Sequence, residues 1–479
     1  MNRIRRIAGL TAFTAVVGGC SVGPDYTRPT AATPEKWIEA EKSTDPAMAA
    51  AAVSTPVPRT ADISRWWDVL GDAKLTSLIE RALAANLDVA KAEARVRQAR
   101  AVRDIAASGQ YPTLGASLGA SRSHSPGRTS NLFQAGLDAS WEIDIFGGVR
   151  RGIEAADADV QSSVEARRAV LVSLASEVAL AYADLRGGQH QLSVARRNLT
   201  AQLETASIVH QRFEAGFVSR LDVANADSQA ASTRSRIPSL EASVRQSVYS
   251  LALLLSRQPS ELLAELSREA ALPGVPPEVP IGLPSDLLLR RPDIRQAEAD
   301  LHSATASIGV AMANRFPRFT LGASFGLSAD ELDKLFNMSN HSWSIGPSAS
   351  WTLLDGGAIS GGIRAQEAAA DQAVFTYQQT VLTALKEVES SLIAYQKEQE
   401  RHAALVEGAA ASKLAVELST QRYTEGATDF LNVLSAQQSL FNSEDSLAQS
   451  DRLIVQGLVT IYKSLGGGWE EEQPRPEKR

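Results

Sequence analysis

The feature that most constrains the fold is an internal repeat that spans most of the chain. The segment NLDVAKAEA, which begins at Asn86, returns as RPDIRQAEA at Arg291, 205 residues later. Further along, QRFEAGFVSRLDVANA at Gln211 returns as QRYTEGATDFLNVLSA at Gln421, 210 residues later. Similar segments in the same order indicate two copies of one ancestral unit. The second half is therefore expected to repeat the structure of the first.

Each half of the repeat carries two segments in which polar and apolar residues alternate. The first half has them at about 112–121 and 132–146, and the second half at about 318–328 and 341–354. Alternation with a period of two is typical of a β-strand that has one apolar and one polar face. The first two strands are predicted to be joined by a polar loop, RSHSPGRTSN, at 122–131.

The alternating segments have the features of membrane-spanning β-strands. Four strands of about ten residues match the length and pattern of transmembrane β-strands, while an antiparallel sandwich would alternate as well. Because a barrel needs at least about eight strands and lipid leaves no backbone edge unpaired, several chains would have to pool their strands. The apolar face would then contact lipid. The residues expected to point into a wet lumen are Asp138, Glu142 and Asp144.

Two long segments of the sequence, one in each half of the repeat, contain no proline. No proline occurs from Gly127 to Ile237 or from Ser348 to Gln473. In the first segment, apolar residues recur at seven-residue steps, at Val164, Leu171, Val178, Leu185, Leu192 and Leu199. Sustained heptads favour coiled-coil packing, and a helix of about 60 residues would extend roughly 90 Å.

Two glycines interrupt the helical patterns at equivalent places. Gly216 and Gly426 lie in the repeated QRFEAG and QRYTEG segments, and apolar heptads resume after each of them. Glycine is the residue that most often ends a helix. Each half is therefore predicted to be a long helical hairpin whose turn lies far from the strands. A further helix is predicted ahead of the first strand, at about 75–107.

The N-terminus has the pattern of an export signal. Three arginines precede an apolar run that is too short to span a bilayer, and the run ends in VVGGC at Cys20. The sequence has one cysteine, so no disulfide can form within the chain. VVGGC resembles the lipobox of bacterial lipoproteins, in which this cysteine is acylated, and Ser21 after it resembles the sorting signal for the outer membrane. The alternative is an unmodified thiol in a discarded leader.

These observations divide the chain into a signal peptide, two repeats and their flanking segments. The predicted boundaries are a signal peptide at 1–19, a lipidated linker at 20–65, a first repeat at 66–265, a linker at 266–285, a second repeat at 286–466 and a tail at 467–479.

Several function classes are disfavoured. The net charge of −7 comes without a basic patch, so nucleic acid is not an expected partner. Ser117 and Ser324 each satisfy G-x-S-x-G, but both lie in alternating segments instead of the strand-to-helix turn that a nucleophile requires. The six histidines lack metal-ligand spacing, and no P-loop or dinucleotide motif occurs. No enzyme activity, metal or cofactor is expected.

Several motifs together resemble one family, the TolC-like outer-membrane efflux proteins, and within it the NodT/OprM-type lipoproteins. They are CSVGPDYTRP at Cys20, LPSDLLLRRPDIRQAE at Leu283, the two QR[FY]xxG turns and IYKSLGGGW at Ile461. The resemblance implies a homotrimer in which twelve strands close one barrel in outer-membrane lipid and an α-helical barrel continues into the periplasm. It implies two protein partners, a periplasmic membrane-fusion adaptor and an inner-membrane pump, commonly of the resistance-nodulation-division class.

The resemblance also implies a passive channel with a gate at the periplasmic helix tips. Family position suggests four gate residues, Asp222, Tyr423, Asn432 and Ser435. It places the hairpin tips and adaptor docking at Gly216, Ser219, Gly426 and Asp429. Asn432 and Ser435 stand where relatives often carry aspartate, which argues against a cation-binding acidic ring. Asp222 and Tyr423 have an alternative interpretation as capping and packing residues.

Two other functions stay open at this point. One is the outer-membrane channel of a type I secretion system, which would use the same fold. The other is a lipid-anchored coiled-coil scaffold, which would explain the heptads and Cys20 but not four amphipathic strands. The exported substrate could be a drug, a solvent, a metal ion or a protein.

Overall fold

The structure is a computed structural model that describes residues 21–30, 32–39 and 53–469. The predicted signal peptide and the predicted lipidation site, Cys20, lie outside the described residues. The strands are β1 (Thr55–Val57), β2 (Thr113–Ser125), β3 (Arg128–Ile143), β4 (Glu278–Pro280), β5 (Arg318–Ala329) and β6 (His341–Ser350). The helices are α1 (Ala73–Ala85), α2 (Leu87–Ser108), α3 (Gly148–Glu214), α4 (Arg220–Leu254), α5 (Pro259–Leu266), α6 (Leu287–Arg290), α7 (Pro292–Ala313), α8 (Ala358–Thr424) and α9 (Phe430–Ser464).

The equivalent long helices of the two sequence repeats have the same lengths. α3 and α8 each have 67 residues, and α4 and α9 each have 35. The two halves differ in that α4 contains Pro238 in its interior. Within the described part of the chain, no helix combines the length and the apolar character needed to cross a bilayer.

The helix predicted at about 75–107 is interrupted at Asn86, so this prediction was wrong in one respect. Asn86 has extended backbone angles, and its side-chain oxygen accepts hydrogen bonds from the N–H groups of Asp88 and Val89 at 2.7 and 3.3 Å. Its side-chain amide donates to the carbonyl of Leu254 at 2.8 Å. Asn86 therefore caps α2 and separates it from α1.

The chain divides into two compact units, and each draws on both repeats. One contains Glu93–Glu165 and Ile294–Thr380, together with the N-terminal segment. The other contains Ala32–Ala92, Ala166–Asp293 and the chain from Val381 onward. They are called the strand unit and the turn unit below.

The strand unit contains an antiparallel sheet with the order β2-β3-β5-β6. β3 and β5 come from different repeats and pair over eleven positions, from Phe133 opposite Ala329 to Ile143 opposite Phe319. β2 and β6 are the edges. No strand among the described residues pairs with the outer side of either edge.

The polar loop predicted at 122–131 is instead mostly paired strand. β2 continues to Ser125 and β3 begins at Arg128, so only Pro126 and Gly127 form the turn. Side-chain hydrogen bonds join Ser123 to Ser130 at 3.0 Å and His124 to Thr129 at 2.9 Å. Polar cross-strand pairs therefore extend the hairpin where the alternating apolar pattern has ended.

Both serines of the G-x-S-x-G segments lie inside strands. Ser117 is in β2 opposite Gly136, and Ser324 is in β5, where its hydroxyl lies 2.9 Å from that of Ser344. Neither serine is on a strand-to-helix turn, which the nucleophile elbow requires.

The segment that follows Cys20 packs along the strand unit. The Val22 N–H donates to the carbonyl of Phe146 at 3.1 Å, just past the end of β3. Arg28 bonds the Glu298 carboxylate at 2.7 Å, and the Tyr26 ring stacks on His302 at 4.3 Å between centroids. Burial, and secondarily Glu298, raises the pKa of Tyr26 above its usual range.

The turn unit has its own core. Trp66, in a 3₁₀ turn ahead of α1, stacks on Tyr462 of α9 with centroids 5.3 Å apart. The Tyr182 hydroxyl of α3 donates to Asp72 at 2.9 Å, and burial raises the pKa of Tyr182 to about 12. In the same unit β1 pairs in parallel with β4, which joins the two predicted linkers.

Candidate functional site: the two helix turns

The predicted hairpin tips have the same backbone. The first turn, residues 215–219, joins α3 to α4, and the second turn, residues 425–429, joins α8 to α9. In the first turn the Gly216 N–H donates to the carbonyl of Phe213 and the Phe217 N–H to that of Arg212, both at 2.9 Å. Equivalent bonds, of 3.0 and 2.8 Å, close the second turn around Gly426.

The glycines are required by this backbone. Gly216 has a φ of +78° and Gly426 a φ of +74°, a left-handed conformation that other residues adopt at a cost. The bond pattern is that of a Schellman motif, which satisfies the last carbonyls of the preceding helix. The structure thus places both glycines at helix C-termini.

The residues that begin the returning helices differ between the turns. In the first turn the Ser219 hydroxyl accepts from the Asp222 N–H at 3.3 Å, and the Asp222 carboxylate accepts from the Ser219 N–H at 2.9 Å. This reciprocal pair is a capping box, so the side chain of Asp222 is engaged in helix capping. Asp429 occupies the equivalent position in the second turn, is exposed and makes no side-chain capping bond.

Tyr423 lies inside the protein. Its side chain is only 4% exposed and packs in an apolar cluster that draws on α3, α4, α8 and α9. The cluster, called the turn cluster below, consists of Ala206, Val209, Ala226, Tyr423, Phe430 and Val433. Among the described residues the Tyr423 hydroxyl has no hydrogen-bond partner. Tyr423 therefore holds the two helical hairpins together by packing.

Arg212 connects the two turns, and the sequence reasoning missed it. Its guanidinium donates to the carbonyls of Tyr423 and Thr424 at 2.6 and 3.2 Å and lies 4.7 Å from the centre of the Tyr423 ring. A cation at the C-terminus of α8 also complements the helix dipole. The repeat-equivalent Arg422 is exposed, and its side chain makes no hydrogen bond or ion pair with the part of the chain that the structure describes. The two arginines look the same in the sequence, so nothing there identifies the bridging one.

The other two gate candidates lie on the exposed surface of α9. The Asn432 amide donates to the Thr428 hydroxyl at 2.7 Å, within the second turn. Ser435 is exposed, and neither residue is hydrogen-bonded to Asp222 or Tyr423. Within the described ranges no group of three or more potential ligands could hold a metal ion.

Apolar side chains also project from the turns. Phe217 is 78% exposed at the tip of the first turn, and Leu221 and Leu431, at equivalent positions of α4 and α9, are exposed too. These exposed apolar groups are candidates for a protein contact surface.

Comparison with known proteins identifies the family. The sequence profile of the family described as "Outer membrane efflux protein" matches residues 78–257 and 283–467. The chain belongs to the outer membrane efflux protein family. Each matched segment of this efflux protein contains one helix turn.

Individual relatives span nearly the whole efflux protein. Nodulation protein T of Rhizobium leguminosarum bv. trifolii is 30% identical over 463 residues, which cover 95% of this chain and 96% of the relative. The solvent efflux pump outer membrane protein SrpC of Pseudomonas putida is 32% identical over 96% of this chain and 97% of its own. The solved structure of the outer-membrane channel OprN is 38% identical and superimposes with a TM-score of 0.85, covering 94% of this chain and all of that one.

The comparisons confirm three predictions made from the sequence. The chain is a TolC-like, NodT-type outer membrane efflux protein, as its motifs indicated. Its fold class, mainly helical with two repeat-related strand pairs, is confirmed. Its function as the outer-membrane channel component of an efflux system is confirmed as well.

Proposed function

We propose that three copies of this efflux protein form one passive channel in the outer membrane. The free edges support this proposal, because β2 and β6 are 13 and 10 residues long and a lipid environment requires them to be paired. Pairing β2 of each copy with β6 of the next would close a barrel of twelve strands. Asp138 and Glu142 would then face a wet lumen. Asp144, expected there from the sequence, instead lies past the end of β3, where its carboxylate accepts from the Arg150 N–H at 2.9 Å and pairs with the Arg150 side chain.

The channel would work with two partners, a periplasmic membrane-fusion adaptor and an inner-membrane pump of the resistance-nodulation-division class. The relative named as part of a solvent efflux pump supports this arrangement. The exposed apolar groups at the turns, with Gly216, Ser219, Gly426 and Asp429 around them, would be the docking surface for the adaptor. Energy and substrate choice would come from the pump, so the chain needs no catalytic residue and no cofactor.

The gate is proposed to lie at the two helix turns, and the bridge made by Arg212 is the observation that carries this proposal. Opening a helical channel at its tips requires the hairpins to move relative to one another. Arg212 opposes such movement, since it belongs to one hairpin and binds the last carbonyls of the other. The buried Tyr423 opposes it by packing. Asp222, Asn432 and Ser435 would act on the stability and surface of the turns.

The test compares repeat-equivalent arginines. Arg212→Gln should raise the single-channel conductance of the purified protein in planar bilayers and admit large antibiotics into cells that lack the pump. Arg422→Gln should change neither, because the Arg422 side chain bonds nothing in the described structure. Tyr423→Phe should also leave conductance unchanged, since the hydroxyl has no partner. Equal conductance in both arginine variants, with normal trimer yield, would place the gate elsewhere.

A lipid anchor at Cys20 is proposed in addition. The Val22 backbone bond to Phe146 holds the residues after Cys20 beside the end of β3, where a strand predicted to span the membrane ends. An acyl chain on the neighbouring cysteine would therefore reach the bilayer. Cys20→Ser should abolish labelling with radioactive palmitate and leave some channel function, because the barrel inserts through its own strands. Persistent labelling of the variant would contradict this assignment.

A further inference from the structure

The turn unit contains a cavity that the channel function does not use. Its volume is about 350 Å³, and it lies between α3, α8, α9 and the connection from α5 to β4. Of the eleven described residues that line it, eight are apolar, among them Leu272, Ile454 and Val455. The volume lies at the lower end of the range of small-molecule sites, which begins at about 300 Å³.

Three polar side chains line this apolar cavity. They are His190 of α3, His402 of α8 and Asp451 of α9. His402 Nε2 lies 2.8 Å from Asp451 Oδ1, and both side chains are partly buried. Within the described structure the Asp451 carboxylate hydrogen-bonds only to His402, and the His190 ring makes no hydrogen bond. One carboxylate oxygen and one imidazole are therefore available to a ligand.

We propose that this cavity binds a small organic amine with an apolar body. Asp451 is the one acidic residue among the described residues of the lining, which include no lysine or arginine. An ammonium group would donate a charge-assisted hydrogen bond to the free Asp451 oxygen and another hydrogen bond to the His190 ring. The apolar walls would enclose an aliphatic or aromatic body of the ligand. An anion would be repelled by the carboxylate, and a neutral ligand would gain less from it.

The probes for this site are three indole compounds that differ in one group. Tryptamine carries an amine, tryptophol a hydroxyl in the same place, and indole-3-propionate a carboxylate. Binding would be measured by calorimetry on the full chain in lipid nanodiscs, with empty nanodiscs subtracted. We expect tryptamine to bind roughly tenfold to a hundredfold more tightly than tryptophol, as a charge-assisted hydrogen bond implies. Indole-3-propionate should bind least.

Variants separate the charge from the shape of the cavity. Asp451→Asn should remove the preference for tryptamine over tryptophol. Ala271→Trp should weaken both compounds, because it fills the cavity from an exposed position that disturbs no core contact. Asp227→Asn is the matched control, because Asp227 pairs with His210 outside the cavity, at 3.1 Å. This variant should leave the affinities for all three probes unchanged. Equal affinities for the three probes, or a preference that survives Asp451→Asn, would overturn the proposal.

Discussion

The first and second helix turns show how one backbone can be stabilised in two different ways. Both reverse the chain with a glycine in the left-handed conformation and the same pair of hydrogen bonds. The first turn is followed by the capping box of Ser219 and Asp222. Just before this turn, Arg212 of α3 donates hydrogen bonds to the other hairpin. The second turn has neither feature. The two repeats therefore share the backbone of the turn but differ in its side chains. The hairpin of α3 and α4 donates the Arg212 hydrogen bonds, and the hairpin of α8 and α9 accepts them.

A second difference between the hairpins lies in their returning helices. α4 contains Pro238, whereas α9 has Ala448 at the equivalent position, with only 1% of its surface exposed. Proline removes one helix hydrogen bond, and serine hydroxyls that bond back to the helix also favour bending. Ser235 and Ser239 make such bonds on either side of Pro238, both at 2.7 Å. α4 is therefore the more deformable of the two helices.

The largest expected effect concerns the pair Tyr423 and Phe213, which occupy equivalent positions. Tyr423→Ala should lower the apparent free energy of unfolding by about 3–5 kcal/mol, because it empties the centre of the turn cluster. Phe213 is 41% exposed, so Phe213→Ala should cost about 1 kcal/mol or less. Denaturant titration followed by the helical circular dichroism signal would measure both losses. Equal losses would mean that another copy of the chain covers Phe213 in the assembly.

An exchange of proline and alanine sharpens the comparison of α4 with α9. Ala448→Pro should destabilise the protein by about 3 kcal/mol, because it breaks a regular helix at a packed position. Pro238→Ala should not destabilise it, since α4 already accommodates the missing bond. Thermal unfolding of the two variants would measure the difference. A comparable loss in Pro238→Ala would show that the fold depends on the proline itself.

The smallest expected effect concerns the caps. Asp222→Ala should cost about 1 kcal/mol and speed amide hydrogen exchange in the first turn of α4, because it removes one half of the capping box. Asp429→Ala should leave exchange in α9 nearly unchanged, since Asp429 makes no side-chain capping bond. Mass spectrometry of peptides from the two helix starts would compare them directly. Similar acceleration in both helices would remove the proposed difference between the turns.

Much of this architecture could be predicted because it depends on local pattern. Alternation located the strands, heptads located the long helices, and Gly216 and Gly426 located the turns. Predictions failed where hydrogen bonds of individual side chains, and not the repeating pattern, determined where a strand or helix ends. Polar pairs such as Ser123 with Ser130 extended the β2–β3 hairpin into the segment predicted as a loop. Asn86 divided a segment with a continuous helical pattern into the two helices α1 and α2.

The contacts within the site could not be predicted, because they depend on how distant segments pack. Arg212 and Arg422 each follow a glutamine, precede an aromatic residue and lie four residues before the turn glycine, yet the structure shows a bridge only from the first. Tyr423 was interpreted either as a gate residue or as a packing residue, and its burial favours packing. The roles proposed for Asn432 and Ser435 stay predictions.

The free edges of β2 and β6 have a consequence for how the protein is made. In the proposed trimer the outer edges of β2 and β6 pair only with another copy, so completion of the sheet depends on the concentration of chains, as in any coupled folding and association. Until that encounter, 13 and 10 residues of unpaired backbone offer a template for aggregation. The newly exported chain should therefore need a holding chaperone in transit. Its yield should fall when synthesis outpaces assembly.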